Sequence, residues 1–217
     1  DAQLYAHIAS SLIFPTESLR AGAGVISENR RGQSGLWGYA ISGDLPIVLL
    51  RVSDQSHIEL VRQLIQAHAY WRLKGLAVDL VIWNEEHAGY RQLLHDQIMG
   101  LVSSGFVADL KDQPGGIFVR STDQMPEEDR ILIQTVAHVI LSGNRGKLAN
   151  QVKRALEAAY EQKATASRES ALARALEAEK LDVTLPGRKP DMGRLHVTTQ
   201  TLREIYRIFA EMGFQIY

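Results

Sequence analysis

The chain has 217 residues, 45% of them hydrophobic and 23% charged, and a net charge of −1. That is the balance of an ordinary folded protein, long enough for one large core or two small ones, and it sets up no global field for nucleic acid or a membrane surface. The lack of cysteine excludes disulfides, thiolate catalysis and cysteine-based zinc sites. No apolar run approaches the roughly 20 residues of a membrane helix. No secretory leader is visible, so a cytoplasmic location is expected. The first residue is Asp1 rather than Met, which leads us to expect that the natural start is missing. Charge is uneven: residues 1–146 carry 12 Lys and Arg against 16 Asp and Glu, residues 147–217 carry 12 against 9.

Residues 1–35 read as an irregular N-terminal segment. A short apolar run, Ile8 to Phe14, is closed by Pro15, and Gly22, Gly24, Gly32 and Gly35 follow. Residues 36–145 read as an α/β module. Leu45–Val52 is a near-continuous apolar run suited to a strand buried on both faces. Ser56, with Glu59 three residues on, has the form of a capping box. Ile58, Val61, Leu64, Ile65 and Trp71 then recur at helical spacing up to Gly75. Leu76–Trp83 is a second buried-strand run. Residues 89–104 repeat the helical pattern, and Gly105 stops it. Gly116–Arg120 is a short third strand. Pro126, followed by Glu127, Glu128 and Asp129, opens a helix that runs to Ser142.

The order strand–helix–strand–helix–strand–helix predicts an α/β fold, a small parallel sheet with flanking helices. After Gly146 the texture changes. Residues 146–180, rich in Ala, Glu, Lys and Arg, predict a long helix or a helical hairpin broken near Thr165–Ser170. A polar stretch with Pro186, Gly187, Pro190 and Gly193 follows, then a short amphipathic helix over Thr199–Met212.

Two resemblances divide the chain. RGQSGLWGYAISGDLPIVLLRV (Arg31–Val52), YWRLKGLAVDLVIWNEE (Tyr70–Glu86), PGGIFVRSTDQMPEEDRILIQTVAHVILSGNRG (Pro114–Gly146) and ASSLIFP (Ala9–Pro15) resemble the cyclic β-1,2-glucan synthase family, which includes a glycoside-phosphorylase-like portion. The resemblance implies a connecting α/β module, separate from that family's sugar-transferring and chain-cleaving domains. It transfers no catalytic residue. GKLANQVKRALEAAYEQK (Gly146–Lys163), LDVTLPGR (Leu181–Arg188) and GRLHVTTQTLREIYRIFAEMGF (Gly193–Phe214) resemble the α subunit of phenylalanine–tRNA ligase. Where that family usually has Pro after the His, this chain has Val197. The resemblance implies a tRNA-contacting coiled-coil arm over residues 146–180, and a linker plus the start of a truncated catalytic domain over residues 181–217. Tyr217 falls before the motifs that bind ATP and phenylalanine, so aminoacylation by this chain alone is not expected. ATP and magnesium belong to the full-length ligase, and no cofactor is expected here. The expectation is a non-catalytic fusion or fragment joined near Gly143–Lys147, with tRNA contact through the arm as the alternative function.

Candidate chemistry is sparse, and no residue reads as catalytic or as a metal ligand. Glu85, Glu86 and His87 follow the second strand, where ligands of open α/β sheets bind. Ser42-Gly43-Asp44 precedes the first strand and has the residues of a turn. Trp37, Trp71 and Trp83 are able to stack on sugars, although tryptophans of an α/β domain are more often core. Glucan contact is therefore assigned to Trp37, Asp44, Glu85 and Glu86. Gly143-Asn144-Arg145-Gly146-Lys147 is similar to a phosphate loop but lacks the Walker spacing and is expected to follow a helix. His57, His68 and His95 fall on helices without an i, i+4 partner. Lys147, Lys153, Arg154, Lys163, Arg168 and Arg174 line the long helix and would meet tRNA phosphates, with Glu157, Glu161, Glu169 and Glu177 interleaved among them.

Overall fold

The fold is that of a computed structural model, which describes residues 2–86, 91–104, 108–178 and 193–215. His87, Gly105 and the polar stretch containing Pro186, Gly187 and Pro190 lie outside them. The chain divides into two compact units, Asp1–Glu169 and Ser170–Tyr217.

The first unit is built on four parallel strands, β1 (Ile47–Val52), β2 (Asp79–Asn84), β3 (Ile117–Ser121) and β4 (Val139–Ser142), in the order β3-β2-β1-β4. The side-chain alternation of a strand sends successive residues to opposite faces. Val48, Leu50, Val52, Leu80, Ile82 and Val139 enter one apolar core. Ile47, Leu49, Val81, Trp83, Phe118 and Ile140 enter the other. This double burial explains why the strands read as unbroken apolar runs.

The helices follow from the crossovers. α1 (Ala2–Ile13), α3 (Ile58–Leu73) and α4 (Arg91–Ser103) cover the first face, together with the start of α6 (Leu148–Ala178). α5 (Glu127–Val136) and a 3-10 segment over Gln33–Tyr39 cover the second, and the short α2 (Ala23–Glu28) packs on α5. Right-handed connections from β1 to β2 to β3 step one way across the sheet and keep α3 and α4 on one side. The step back across to β4 puts α5 on the other.

Several local expectations change. The helix expected through Ser142 stops at Val136. Ala137 turns extended (ψ 128), and His138 N–H bonds Ile47 O at 2.9 Å, so Val139–Ser142 joins the sheet. A four-residue apolar run does not distinguish strand from helix. Residues 1–35 are not irregular: Tyr5, Ile8 and Leu12 make α1 a core helix, and Trp71 Nε1 donates to Tyr5 O at 2.8 Å. Ser56 is not the cap. Asp54 accepts its N–H at 2.7 Å, and α3 begins at Ile58 behind His57. The long-helix alternative holds for α6, which is unbroken through Thr165–Ser170.

Buried polar staples hold the first unit at its edges. At the amino end of the sheet, Asp79 accepts Gly115 N–H at 2.7 Å, and His68 Nε2 lies 2.9 Å from Val78 O and 3.1 Å from Gly115 O. Two carbonyl acceptors require the proton to sit on Nε2. On the second face, Arg31 pairs with Asp129 at 2.7 Å and Tyr39 OH donates to the same carboxylate at 2.8 Å. Burial, then that hydrogen bond, pushes the Tyr39 phenol up to about 12.

α6 changes character along its length. Leu148, Val152 and Ala155 are buried in the first core, with Ala159 half-buried behind them, a 4-3-4 spacing that keeps one stripe on the sheet. The same register then meets Gln162, Ala166, Glu169 and Ala173. From Tyr160 to Glu177 every residue but Ala164 is exposed. In the second unit, α7 (Val197–Glu211) starts behind His196, whose side chain accepts Thr198 N–H. Val197 is thus the first helical residue, a position that suits Pro and tolerates Val.

Two measurements check these assignments. Leu148→Ala should lower unfolding stability by about 3 kcal/mol, while Leu172→Ala on the same helix changes it by less than about 0.5 kcal/mol, read from denaturant midpoints. The second concerns pH. Burial lowers the His68 pKa below its ordinary 6.5. The native chain therefore binds fewer protons than the unfolded one just below that value. This contribution is full above about pH 6.5 and is lost as pH falls through the folded value. Asp79, raised by burial, acts with the opposite sign, full below 3.8 and lost as pH rises through its folded value. His68→Gln keeps a donor and leaves Asp79 in place. The loss of urea midpoint between about pH 7.5 and 5 should be smaller in this variant than in the parent.

Candidate functional site

The carboxyl ends of the strands carry two crevices. Between β1 and β4 the chain direction of the connections reverses, and ligands of open α/β sheets sit at such a switch point. A cavity of about 490 Å³ opens there, lined among others by Ser56, His57, Glu59, Gln63, Gly143 and Lys147. The loop Gly143–Lys147 follows strand β4, not a helix, so one argument against a phosphate loop is removed. The Walker spacing is still absent. Gln151, 6% exposed, fixes this loop: its Nε2 donates to Ser142 O at 2.8 Å and Gly146 O at 2.7 Å, and its Oε1 accepts Ser142 N–H at 3.2 Å. Gly146 has a φ of +84°, and the His57 ring lies where a Cβ on Gly143 would go.

The second crevice, about 470 Å³, lies at the ends of β2 and β3 and is lined by Asn84, Glu86, His95, Ser121, Asp123 and Gln124. Asn84 closes β2 and is 5% exposed. Its Oδ1 accepts Glu86 N–H at 3.0 Å, and its backbone carbonyl accepts the Thr122 hydroxyl at 3.3 Å. Glu86 Oε2 is shut from solvent without a hydrogen-bond partner. Glu85, its neighbour, is bound to Arg51 at 2.7 Å.

The four residues assigned to glucan do not converge. Glu85 and Glu86 follow the carboxyl end of β2, whereas Asp44 precedes β1. A six-residue strand separates those ends by roughly 16–20 Å. Asp44 accepts Gln33 Nε2 at 3.0 Å, and its own N–H donates to Ser42 Oγ at 3.2 Å, closing the Ser42–Asp44 turn. Trp37 is 65% exposed on the Gln33–Tyr39 segment, while Trp71 and Trp83 are core. His57 stands ahead of α3 as its cap residue, His68 is buried in α3, and His95 is exposed on α4.

The cations of α6 differ in role. Lys147 lines the switch-point cavity. Arg154 donates to Arg145 O at 2.9 Å, and Lys153 lies 3.8 Å from Glu157. Lys163 borders a groove against Pro15–Ser18. Arg168 and Arg174 are exposed. Among the described residues no three His, Asp or Glu side chains converge to hold a metal, and no helix is long and apolar enough to cross a membrane. Asn84 is the site residue that motif reading passed over. Its signal was a lone amide ending an apolar strand run.

The close fit of His57 on Gly143 is testable. Gly143→Ala should destabilise the chain by about 1–3 kcal/mol, and adding His57→Ala should restore most of that loss. Thermal unfolding of the two singles and the double closes the cycle.

No family model matches the chain. It is 30% identical over 156 residues to the cyclic β-(1,2)-glucan synthase NdvB of Rhizobium meliloti, a match that covers 71% of this chain and 6% of that protein. It is 40% identical over 98 residues to the phenylalanine–tRNA ligase α subunit of Dictyoglomus thermophilum, 45% of this chain and 25% of that one. With the same subunit of Roseiflexus castenholzii it shares 49% identity over 72 residues, 33% of this chain and 21% of that one. The chain thus spans a small part of the synthase and about a quarter or less of the ligase subunits. Matches of 156 and 98 residues exceed 217 together, so the synthase-like and ligase-like stretches overlap instead of meeting at one residue.

Proposed function

We propose that the chain is a non-catalytic module, an α/β body of the glucan-synthase kind that continues through one helix into a ligase-type arm. The observation that carries this reading is α6. Its first turns are core to the sheet, its later turns are exposed, and no break separates the two. On the body side the partner is a glucan, and the switch-point end of the sheet is held by structural bonds instead of an acid–base pair. On the arm side the partner is tRNA, met through Lys163, Arg168 and Arg174. Lys153 and Arg154 contribute less, since Glu157 and the Arg145 carbonyl engage them. The chain itself takes no cofactor, ATP and magnesium belonging to the full-length ligase, and its setting is the cytoplasm.

The test uses the whole chain. It should neither aminoacylate tRNA with phenylalanine and ATP nor transfer glucose, and turnover in either assay would overturn the non-catalytic reading. It should retain tRNA at low salt. Replacing Lys163, Arg168 and Arg174 by Ala together should flatten the slope of log K against log salt by about 2–3, at roughly 0.7–0.9 for each phosphate that is no longer neutralised. An unchanged slope would remove tRNA from the proposal.

A further inference from the structure

Beside the first turns of α6 lies a pocket of about 240 Å³, lined by Ser18, Leu19, Arg145, Gln151, Arg154 and Ala155. Its two charged residues are both arginines. Leu19 and Ala155, both buried, give it an apolar wall. Arg154 is held in place, with Nε donating to Asn150 O at 3.3 Å and Nη2 to Arg145 O at 2.9 Å. Arg145 sits on the loop that Gln151 fixes through Ser142 O and Gly146 O. One guanidinium thus rests on the backbone of the residue that carries the other. The backbone acceptors of the wall are taken, Arg145 O by Arg154 and Ala155 O by Ser18 Oγ at 3.2 Å. Nη1 of Arg154 and the Arg145 guanidinium have no hydrogen-bond or carboxylate partner among the described residues.

The neighbouring carboxylates belong to other contacts. Glu17 accepts Gln162 Nε2 at 3.0 Å and lines the adjoining groove with Lys163. Glu157 lies 3.8 Å from Lys153. Neither lines the pocket. Two like charges held side by side repel, and an anion between them turns repulsion into attraction on both sides. A neutral ligand leaves the repulsion in place. A carboxylate brings one charge to two cations. A phosphate group brings up to two charges, and its oxygens suit the planar fork of paired N–H donors on a guanidinium. At about 240 Å³ the pocket is smaller than the usual small-molecule site, a size for a single charged group. We propose that this pocket binds a phosphate group, free or at the end of an ester, between Arg145 and Arg154. The site is separate from the glucan reading, and it does not use Lys163, Arg168 or Arg174, which carry the tRNA reading.

The experiment follows the arginine Nε–H signals of the whole chain by NMR during titration with inorganic phosphate at constant ionic strength. The pH is about 7.5, where phosphate is mostly dianionic. The Arg145 and Arg154 signals should shift saturably, and chloride or acetate at the same concentration should not reproduce the shift. Both residues are exposed, so Arg145→Gln and Arg154→Gln remove charge without opening the core, which an unchanged amide spectrum elsewhere checks. Each should weaken phosphate binding about tenfold. Arg72→Gln, which removes an exposed cation at the end of α3, should leave the affinity unchanged. Shifts that do not saturate, equal saturation by acetate or chloride, unchanged affinity in either pocket variant, or an equal loss in Arg72→Gln would each overturn the site. A second titration with tRNA separates the sources. Displacement of bound phosphate by tRNA upholds the pocket with a nucleic-acid phosphate in it, and tRNA binding that leaves phosphate in place upholds it for a small phosphate ligand. Arginine signals that respond to tRNA and not to phosphate would overturn the pocket and leave the tRNA reading standing.

Discussion

Burial of β1 on both faces is the constraint from which the rest of the first unit follows. Val48, Leu49 and Leu50 are fully enclosed, with β2 on one side and β4 on the other. A strand apolar on both sides requires a layer of helices above and below it. Parallel crossovers supply both layers only if the connections reverse direction once, and here they do so between β3 and β4. The reversal gathers the β1–α3 and β4–α6 loops at one end of the sheet. Asn84, Glu86, Gly143 and Lys147 occupy that end because hydrophobic burial elsewhere leaves the loops there.

Polar side chains inside this framework divide into two kinds. Gln151, His68 and Asp79 each tie a loop or helix end to the sheet, and Asp129 ties α5 to Arg31 and Tyr39, with contacts between 2.7 and 3.2 Å. They make the framework rigid. Asn84 works locally at the end of β2, where its Oδ1 accepts Glu86 N–H at 3.0 Å.

The strands, α3 and the parallel arrangement were legible because apolar runs and 3.6-residue spacing are strong signals. β4 was not, since Val-Ile-Leu following directly on a helix fits either element until Ile47 O accepts from His138. α1 was hidden by the glycines and proline after it, although its buried residues, Tyr5, Ile8 and Leu12, stand at helical spacing. Local capping chemistry misled at Ser56, because Asp54 competes for the same N–H. Of the candidate residues, Glu85 and Glu86 do follow the end of β2, but the bond from Glu86 N–H to the Asn84 side chain was invisible. An amide within a strand run acquires meaning only when a second strand end and a helix close around it. Asp44 was separated from the glutamates by the length of β1, a distance that linear order does not display.

The stripe on α6 has a consequence for how such a chain is assembled. Leu148, Val152 and Ala155 complete the sheet's core, and after Ala159 the helix owes nothing to the sheet. A helix in that condition is a permissive splice point. Any following sequence with adequate helix propensity continues the backbone ladder without disturbing a packed surface, so selection on the core stops where the stripe stops. On the proposed reading, an overlap between the two similarities is what such a point would leave behind.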